Sequence, residues 1–222
     1  MNELLKIHEN VDHSSDKWSS YFDVYEKHLK HYRGKDITLV EVGVQKGGSL
    51  DMWSEYFGPN SRIIGIDVDP KCADLVYNKN NVKVLIGDQA DPYFWDEFFR
   101  SNIEIDIFID DGGHTMKQQI VTFEKVFPRL KLGGIFICED THTSYYEDFG
   151  GGLKEPNTFL EYAKDFVDIL HYDWKRETTT NLESKKRIVG NTLSGLYFYN
   201  SVVVFEKFGK EIMDRVIVEG KK

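Results

Sequence analysis

At 222 residues and 41% hydrophobic side chains, the chain can bury the core of one α/β domain, and its composition excludes an intrinsically disordered protein. Its 37 acidic against 28 basic residues leave a formal charge of −9, which disfavours nucleic acid as a partner. Cys72 and Cys138, without metal-type spacing, argue against a disulfide scaffold and for a reducing compartment, hence a cytoplasmic protein.

The N-terminus, MNELLKIHENVDHSSDK, is charged and lacks the apolar centre of a signal peptide. No apolar run approaches the ~18 residues of a membrane span. Residues 16–33 carry Trp18, Tyr21, Phe22, Tyr25 and Leu29 at helical spacing, which predicts an amphipathic helix. Alternation then begins. ITLVEVG (37–43) predicts a first strand and SLDMWSEYF (49–57) a helix; RIIGIDVD (62–69) predicts a second strand and CADLVYN (72–78) a short helix. VKVLIGD (82–88), EIDIFIDD (104–111) and GGIFICED (133–140) predict three more strands, with helices over PYFWDEFFR (92–100) and TMKQQIVTFEKVFPRL (115–130) between them.

Continuous apolar runs alternating with helices predict a parallel sheet buried on both faces. FGGG (149–152) reads as a flexible joint, residues 156–174 as a long amphipathic helix, and the polar segment 175–191 as a mobile loop. SGLYFYNSVVVFEKF (194–208) has two short β runs about Tyr199-Asn200-Ser201, a hairpin. The predicted fold is therefore a single α/β domain: a Rossmann-like, doubly wound sheet, mostly parallel, with a C-terminal antiparallel hairpin. Residues 1–34 form an N-terminal helical cap, 35–222 the main domain, and 141–191 a region over the binding face.

In such a sheet, ligands bind outside the carboxyl ends of the strands. The charged residues gather there. Strand one ends in Glu41 and Gly43, followed by Gly47, Gly48 and Ser49; strand two ends in Asp67 and Asp69; strand three in Gly87-Asp88. Strand four ends in Asp110-Asp111 with His114 close behind, and strand five in Glu139-Asp140 with His142. The glycine turn, G-x-x-x-G-G, is not the G-x-G-x-x-G fingerprint of dinucleotide folds, which argues against a nicotinamide oxidoreductase. Asp67 is placed to accept hydrogen bonds from ribose hydroxyls. A pyrophosphate would be disfavoured beside so many acids, whereas a cationic, phosphate-free nucleoside such as S-adenosylmethionine suits them.

Glu41-Val42-Gly43, Asp67 and Gly87-Asp88 resemble the motifs of class I S-adenosylmethionine-dependent methyltransferases. More narrowly, GGSLDMW, IIGIDVD, GDQAD, IDDGGHT and EDTHTSYY resemble the macrocin and mycinamicin sugar O-methyltransferases, as does the N-terminal SDK before a Tyr-rich helix. The resemblance spans roughly residues 37–152. It implies S-adenosylmethionine contacts at Glu41, Gly43, Gly47, Ser49, Asp67 and Asp88, with Asp110 facing the cofactor side. It implies Mg²⁺ held by Asp111, Glu139 and Asp140, with His114 as general base. Hard oxygen ligands suit Mg²⁺, and a sugar hydroxyl needs both a metal and a base to become a nucleophile.

Other readings accompany these residues. Asp111 or Thr115 could serve only as a helix cap. His142 could contact substrate or be merely solvated, and Tyr145, Tyr146 and Trp174 could stack on a sugar or pack a lid. At the level of function, the alternatives are a methyltransferase of phenols or other small molecules, a cephalosporin-hydroxylase-like protein on the same scaffold, and a non-catalytic cofactor-binding subunit. The expected partner is a saccharide or small-molecule acceptor; a homo-oligomer stays open.

Overall fold

The structure is a computed structural model that describes residues 2–172 and 180–209. Trp174 and residues 175–179 of the polar segment lie outside the described residues. One seven-stranded sheet runs through the molecule in the order β3-β2-β1-β4-β5-β7-β6. The strands are β1 (Thr38–Val42), β2 (Arg62–Asp67), β3 (Val82–Ile86), β4 (Ile105–Asp110), β5 (Leu130–Cys138), β6 (Leu193–Phe198) and β7 (Val203–Lys207). The first five are parallel, and β7 pairs antiparallel with both β5 and β6. This is the expected doubly wound sheet with its closing hairpin.

The helices are α1 (Glu3–His8), α2 (Tyr21–Leu29), α3 (Gly48–Phe57), α4 (Pro92–Phe98), α5 (Met116–Val126), α6 (Phe159–Leu170) and α7 (Thr180–Val189). Three differences from the sequence expectations have local causes. Residues 72–78 do not form a helix; a 3-10 turn spans Pro70–Asp74, with Asp69 capping it through the Lys71 N–H. Helix α1 was not anticipated; Asn2 caps it. Within 175–191, α7 replaces the expected loop over 180–189. Its Lys185 lies against the Tyr162 ring, 4.3 Å from the centroid, with its ammonium on Asp165 Oδ2 at 2.5 Å. A lysine thus stands where an apolar contact would have revealed the helix. No described helix is long and apolar enough to cross a membrane.

Side chains of a strand alternate between the two faces of its sheet. One face carries Leu39, Ile107, Ile109, Ile135 and Ile137 against α1, α2 and α3, whose Leu4, Tyr21, Phe22, Tyr25, Leu29, Trp53 and Phe57 complete that core. The N-terminal segment therefore packs into the core. The other face carries Val40, Val42, Phe108, Phe136 and Cys138 against Trp95, Phe123 and Phe166 of α4, α5 and α6.

Two consequences position the site. Val42, Asp110 and Cys138 are register partners across β1, β4 and β5. The ladder continues one step further, with Asp111 N–H donating to Val42 O (3.0 Å) and Glu139 N–H to Asp110 O (2.9 Å). Gly43, Asp111 and Glu139 therefore emerge side by side. Alternation also sends Glu41, Asp111 and Glu139 toward the α2–α3 face and Asp110 toward the α5 face.

Candidate active site

β1 and β4 are neighbours, yet their crossovers leave in opposite directions along the sheet, so a crevice opens at their carboxyl ends. A cleft of about 540 Å³ lies there, a size typical of small-ligand sites. Gly43, Ser49, Asp67, Asp88, Asp111, His114, Glu139 and Asp140 all line it, as do Lys17, Trp18 and His142. Sequence reasoning brought the first eight together. It missed Lys17, and three of its cofactor candidates, Glu41, Gly47 and Asp110, do not line the cleft.

Gly43 adopts a φ of +96°, and a Cβ there would stand 1.9 Å from the Asp111 carbonyl oxygen. Only glycine lets the β1 and β4 loops approach this closely. The next residues are pinned by Asp67, whose Oδ2 accepts from the Val44 and Gln45 N–H groups (2.8 and 2.9 Å) and whose Oδ1 accepts from Asp69 N–H (2.9 Å). Burial opposes its charge, but these N–H groups outweigh it and hold the carboxyl below its ordinary range. Asp67 thus reaches the cleft as a fixed anion.

The glycine turn serves partly another purpose than ligand approach. Gly48 N–H donates to Ser14 O (3.2 Å), and a Cβ on Gly48 would meet the His13 and Ser14 carbonyls at 2.5 and 2.7 Å. The segment 13–18 crosses here as a strap. His13 clamps it through its N–H and Nδ1, both on Asp51 Oδ2 (3.0 and 2.7 Å). Gly47 caps α3 in the left-handed region beneath the Tyr77 hydroxyl.

At its far end the strap delivers Lys17. Its ammonium donates to Asp111 Oδ2 (2.6 Å), Glu139 Oε2 (2.9 Å) and Glu41 Oε1 (3.4 Å), with 2% of its side chain exposed. Burial alone would depress its pKa; Asp111 and Glu139 overcome that and hold it well above the ordinary lysine value. Glu41 is fully buried beneath the cleft, where the Ser49 hydroxyl donates to its Oε2 (2.7 Å). Glu139 also accepts from the Tyr25 hydroxyl (2.5 Å). Burial pushes its carboxyl upward, so its ionised form depends on these two donors.

The outer half of the site faces the cleft. His114 Nε2 lies 3.4 Å from Asp140 Oδ2 and 4.0 Å from Asp111 Oδ1, while its Nδ1 is buried without a hydrogen-bond partner. Asp140 is held by the Tyr21 hydroxyl, which donates to its Oδ1 (2.5 Å). Both His114 and Asp140 adopt left-handed backbone conformations, with φ of 57° and 50°. Such conformations are unfavourable for non-glycine residues and persist where the surroundings enforce them. Thr143 supplies part of that, its hydroxyl donating to the His114 and Asp140 carbonyls. Thr115, not Asp111, caps α5, in a capping box with Gln118. Asp111 is thereby left to the site.

Among the described residues, two groups of side chains could gather on a cation, each with its ligand atoms within 4.8 Å of one another: Asp111, His114 and Asp140, and Glu41, Asp111 and Glu139. The trio expected from sequence is thus divided. Asp111 is common to both groups, Glu139 belongs to the inner one around Lys17, and Asp140 to the outer one. The outer group consists of partly exposed, hard oxygen donors with a histidine at the cleft wall, which fits a divalent cation that keeps positions open.

Asp110 departs from its expected place on the cofactor side. It is fully buried on the α5 face, where Gln89 Nε2 donates to its Oδ1 (2.9 Å) and its Oδ2 has no partner. Strand alternation dictates this, because neighbours along a strand point to opposite faces. Gln89 also accepts from Gly113 N–H (3.0 Å), and so braces the turn that carries His114. Burial pushes the Asp110 carboxyl up to about 6, against about 3.9 when unfolded. The folded protein binds that proton more tightly, so the contribution to stability is lost as pH rises through that interval. Asp110→Asn should remove the slope: relative to wild type, the variant's urea midpoint should improve between about pH 4 and about pH 7. An unchanged difference would contradict it.

His142 Nδ1 lies 2.5 Å from Ser201 Oγ, and its ring stands between the exposed rings of Trp18 (6.5 Å between centroids) and Tyr146 (5.5 Å). Of these, Trp18 and His142 line the cleft. Tyr145 is likewise exposed.

Residues 40–141 match a family model described as a methyltransferase domain. The chain is 32% identical over 205 residues to the 8-demethyl-8-α-L-rhamnosyl tetracenomycin-C 2′-O-methyltransferase of Streptomyces olivaceus, covering 88% of this chain and 52% of that protein. It is 30% identical over 193 residues to the mycinamicin VI 2″-O-methyltransferase of Micromonospora griseorubida, covering 82% and 47%. The chain therefore spans about half the length of the curated relatives it matches. A solved structure of the MycE methyltransferase of the mycinamycin biosynthetic pathway, in complex with Mg, SAH and mycinamycin VI, superposes with a TM-score of 0.78 at 26% identity, over 95% of this chain and 54% of that one.

Proposed function

We propose that the chain, whose residues 40–141 match the methyltransferase-domain model, catalyses S-adenosylmethionine-dependent, Mg²⁺-assisted methylation of a sugar hydroxyl on a glycosylated small molecule or a polysaccharide. The observation that carries this reading is the meeting of two half-sites in one cleft. Gly43, Ser49 and Asp67 line the side suited to a nucleoside, and Asp111, His114 and Asp140 line the side suited to a cation and a proton transfer. The relatives' names suggest the acceptor class: a rhamnosyl tetracenomycin-C in one, mycinamicin VI in another.

The fixed anion of Asp67 is placed for ribose hydroxyls, and an acidic rim favours a cofactor that is cationic at its reactive end. S-adenosylmethionine would supply an electrophilic methyl group. Asp111 and Asp140 would hold the Mg²⁺ ion, with Glu139 behind them, and the ion would lower the pKa of a hydroxyl bound to it. His114 Nε2 would take the hydroxyl proton, and the adjacent carboxylates of Asp140 and Asp111 would stabilise the imidazolium that results. The Tyr21 hydroxyl fixes the Asp140 carboxylate, so the base meets a set geometry. We assign acceptor recognition to residues 141–191, of which His142 lines the cleft, and to the strap with Trp18, and methyl transfer to the domain over 35–222 together with the segment 1–34.

The test offers the protein S-adenosylmethionine, Mg²⁺ and a rhamnosylated polyketide, and reads the product by mass spectrometry. Addition of one methyl group to the sugar, suppressed by chelator, is expected. Transfer to a catechol but to no sugar would replace this reading with a phenol methyltransferase.

A further inference from the structure

The Lys17 ammonium bridges the two halves of the site. It holds Asp111 and Glu139, which follow β4 and β5, together with Glu41 of β1, at the floor of the cleft, where its own side chain is almost fully buried. A carboxylate oxygen already accepting a charge-assisted hydrogen bond from an ammonium is a weaker ligand for a second cation, and Asp111 Oδ2 and Glu139 Oε2 are both so engaged. Asp111 is moreover the residue shared with the outer group that faces the cleft. Two cations cannot be accommodated independently at such separations, because their repulsion is poorly screened once water is excluded.

We propose that Lys17 is a resident cation that exchanges with the divalent ion: the ion binds at the expense of the ammonium's contacts with Asp111 and Glu139, and Lys17 retains Glu41. The inference rests on the metal reading above. It explains how the buried carboxylates of Glu41 and Glu139 can share one pocket with Asp111 before any ion arrives: paired charges can be buried where isolated ones cannot. It also ties ion binding to the strap, because Ser14, Ser15 and Asp16 beside Lys17 line the same cleft. Lys17 is on this account a positioning residue, acting on the ligands and not on the reacting atoms.

The test uses Mn²⁺ as the probe and the full chain, with free Mn²⁺ counted by electron paramagnetic resonance. Lys17→Met should bind Mn²⁺ at least about tenfold more tightly than wild type, because the competing charge is gone. Equal or weaker binding by the variant would overturn the exchange and leave the metal reading standing. No binding by either protein would overturn both. A second measurement needs no variant. In wild type, Lys17 should resist an amine-reactive label without metal and react several-fold faster once Mn²⁺ is added, read by peptide mass spectrometry. Labelling unaffected by Mn²⁺ would overturn the exchange, and should Lys17→Met fail to fold, this measurement alone decides.

Discussion

His114→Asn should lower the turnover number by about 10²- to 10⁴-fold, the usual contribution of a positioned general base, while affinity for S-adenosylhomocysteine stays unchanged. The separation of the two effects follows from the geometry. His114 stands on the Asp111–Asp140 side of the cleft, with Nε2 toward both carboxylates. The nucleoside-side residues, Gly43 and Asp67, are held by backbone contacts in which His114 takes no part. Asparagine keeps a polar side chain and tolerates the left-handed backbone at this position, so the loss would report on proton transfer and not on a collapsed turn. Full activity in the variant would remove His114 from the mechanism.

Asp111→Asn should cost more, about 10³-fold or beyond in kcat/KM, because the residue would act as a metal ligand worth several kcal/mol in the transition state. Its position makes it the least replaceable carboxylate of the set. It belongs to both candidate ligand groups and accepts the shortest of the Lys17 contacts, 2.6 Å. Asparagine preserves size but removes the charge, so the variant should lose Mg²⁺ stimulation at any attainable concentration and become indifferent to chelator. Isothermal titration with Mn²⁺ checks the binding side independently of turnover. Undiminished, chelator-insensitive activity would contradict metal assistance altogether.

Much of this site could be read in the sequence because it hangs on strand ends. The runs RIIGID, IDIFID and GGIFIC are continuous and carry apolar stretches, so their carboxyl ends, and with them Asp67, Asp111 and Glu139, fall on one rim. Alternation within the same strings already contained the fate of Asp110, since adjacent residues of a strand cannot both face the ligand; the resemblance of the motif obscured it. The division of Glu139 from Asp140 was harder to see. Asp140 takes a left-handed conformation that redirects its side chain, and nothing in ICEDT announces that turn.

Lys17 was out of reach for a different reason. It lies 94 residues from Asp111 and 122 from Glu139 in sequence, and no local pattern marks it beyond the SDK triplet. The one available signal was charge balance: carboxylates gathered and buried on one face require a buried cation. Tyr21 and Tyr25 were legible as apolar positions of α2, yet their hydroxyls, on Asp140 and Glu139, are the part that matters to the site. Helix α7 escaped because Lys185 occupies an inward position.

The most direct measurement is the anomalous scattering of a crystal soaked with S-adenosylhomocysteine and Mn²⁺. The account predicts one ion ligated by Asp111 and Asp140 beside His114, nucleoside hydroxyls on Asp67, and the Lys17 ammonium withdrawn to Glu41. Cofactor in the cleft with no ion there, and Lys17 still closed on Asp111 and Glu139, would contradict it.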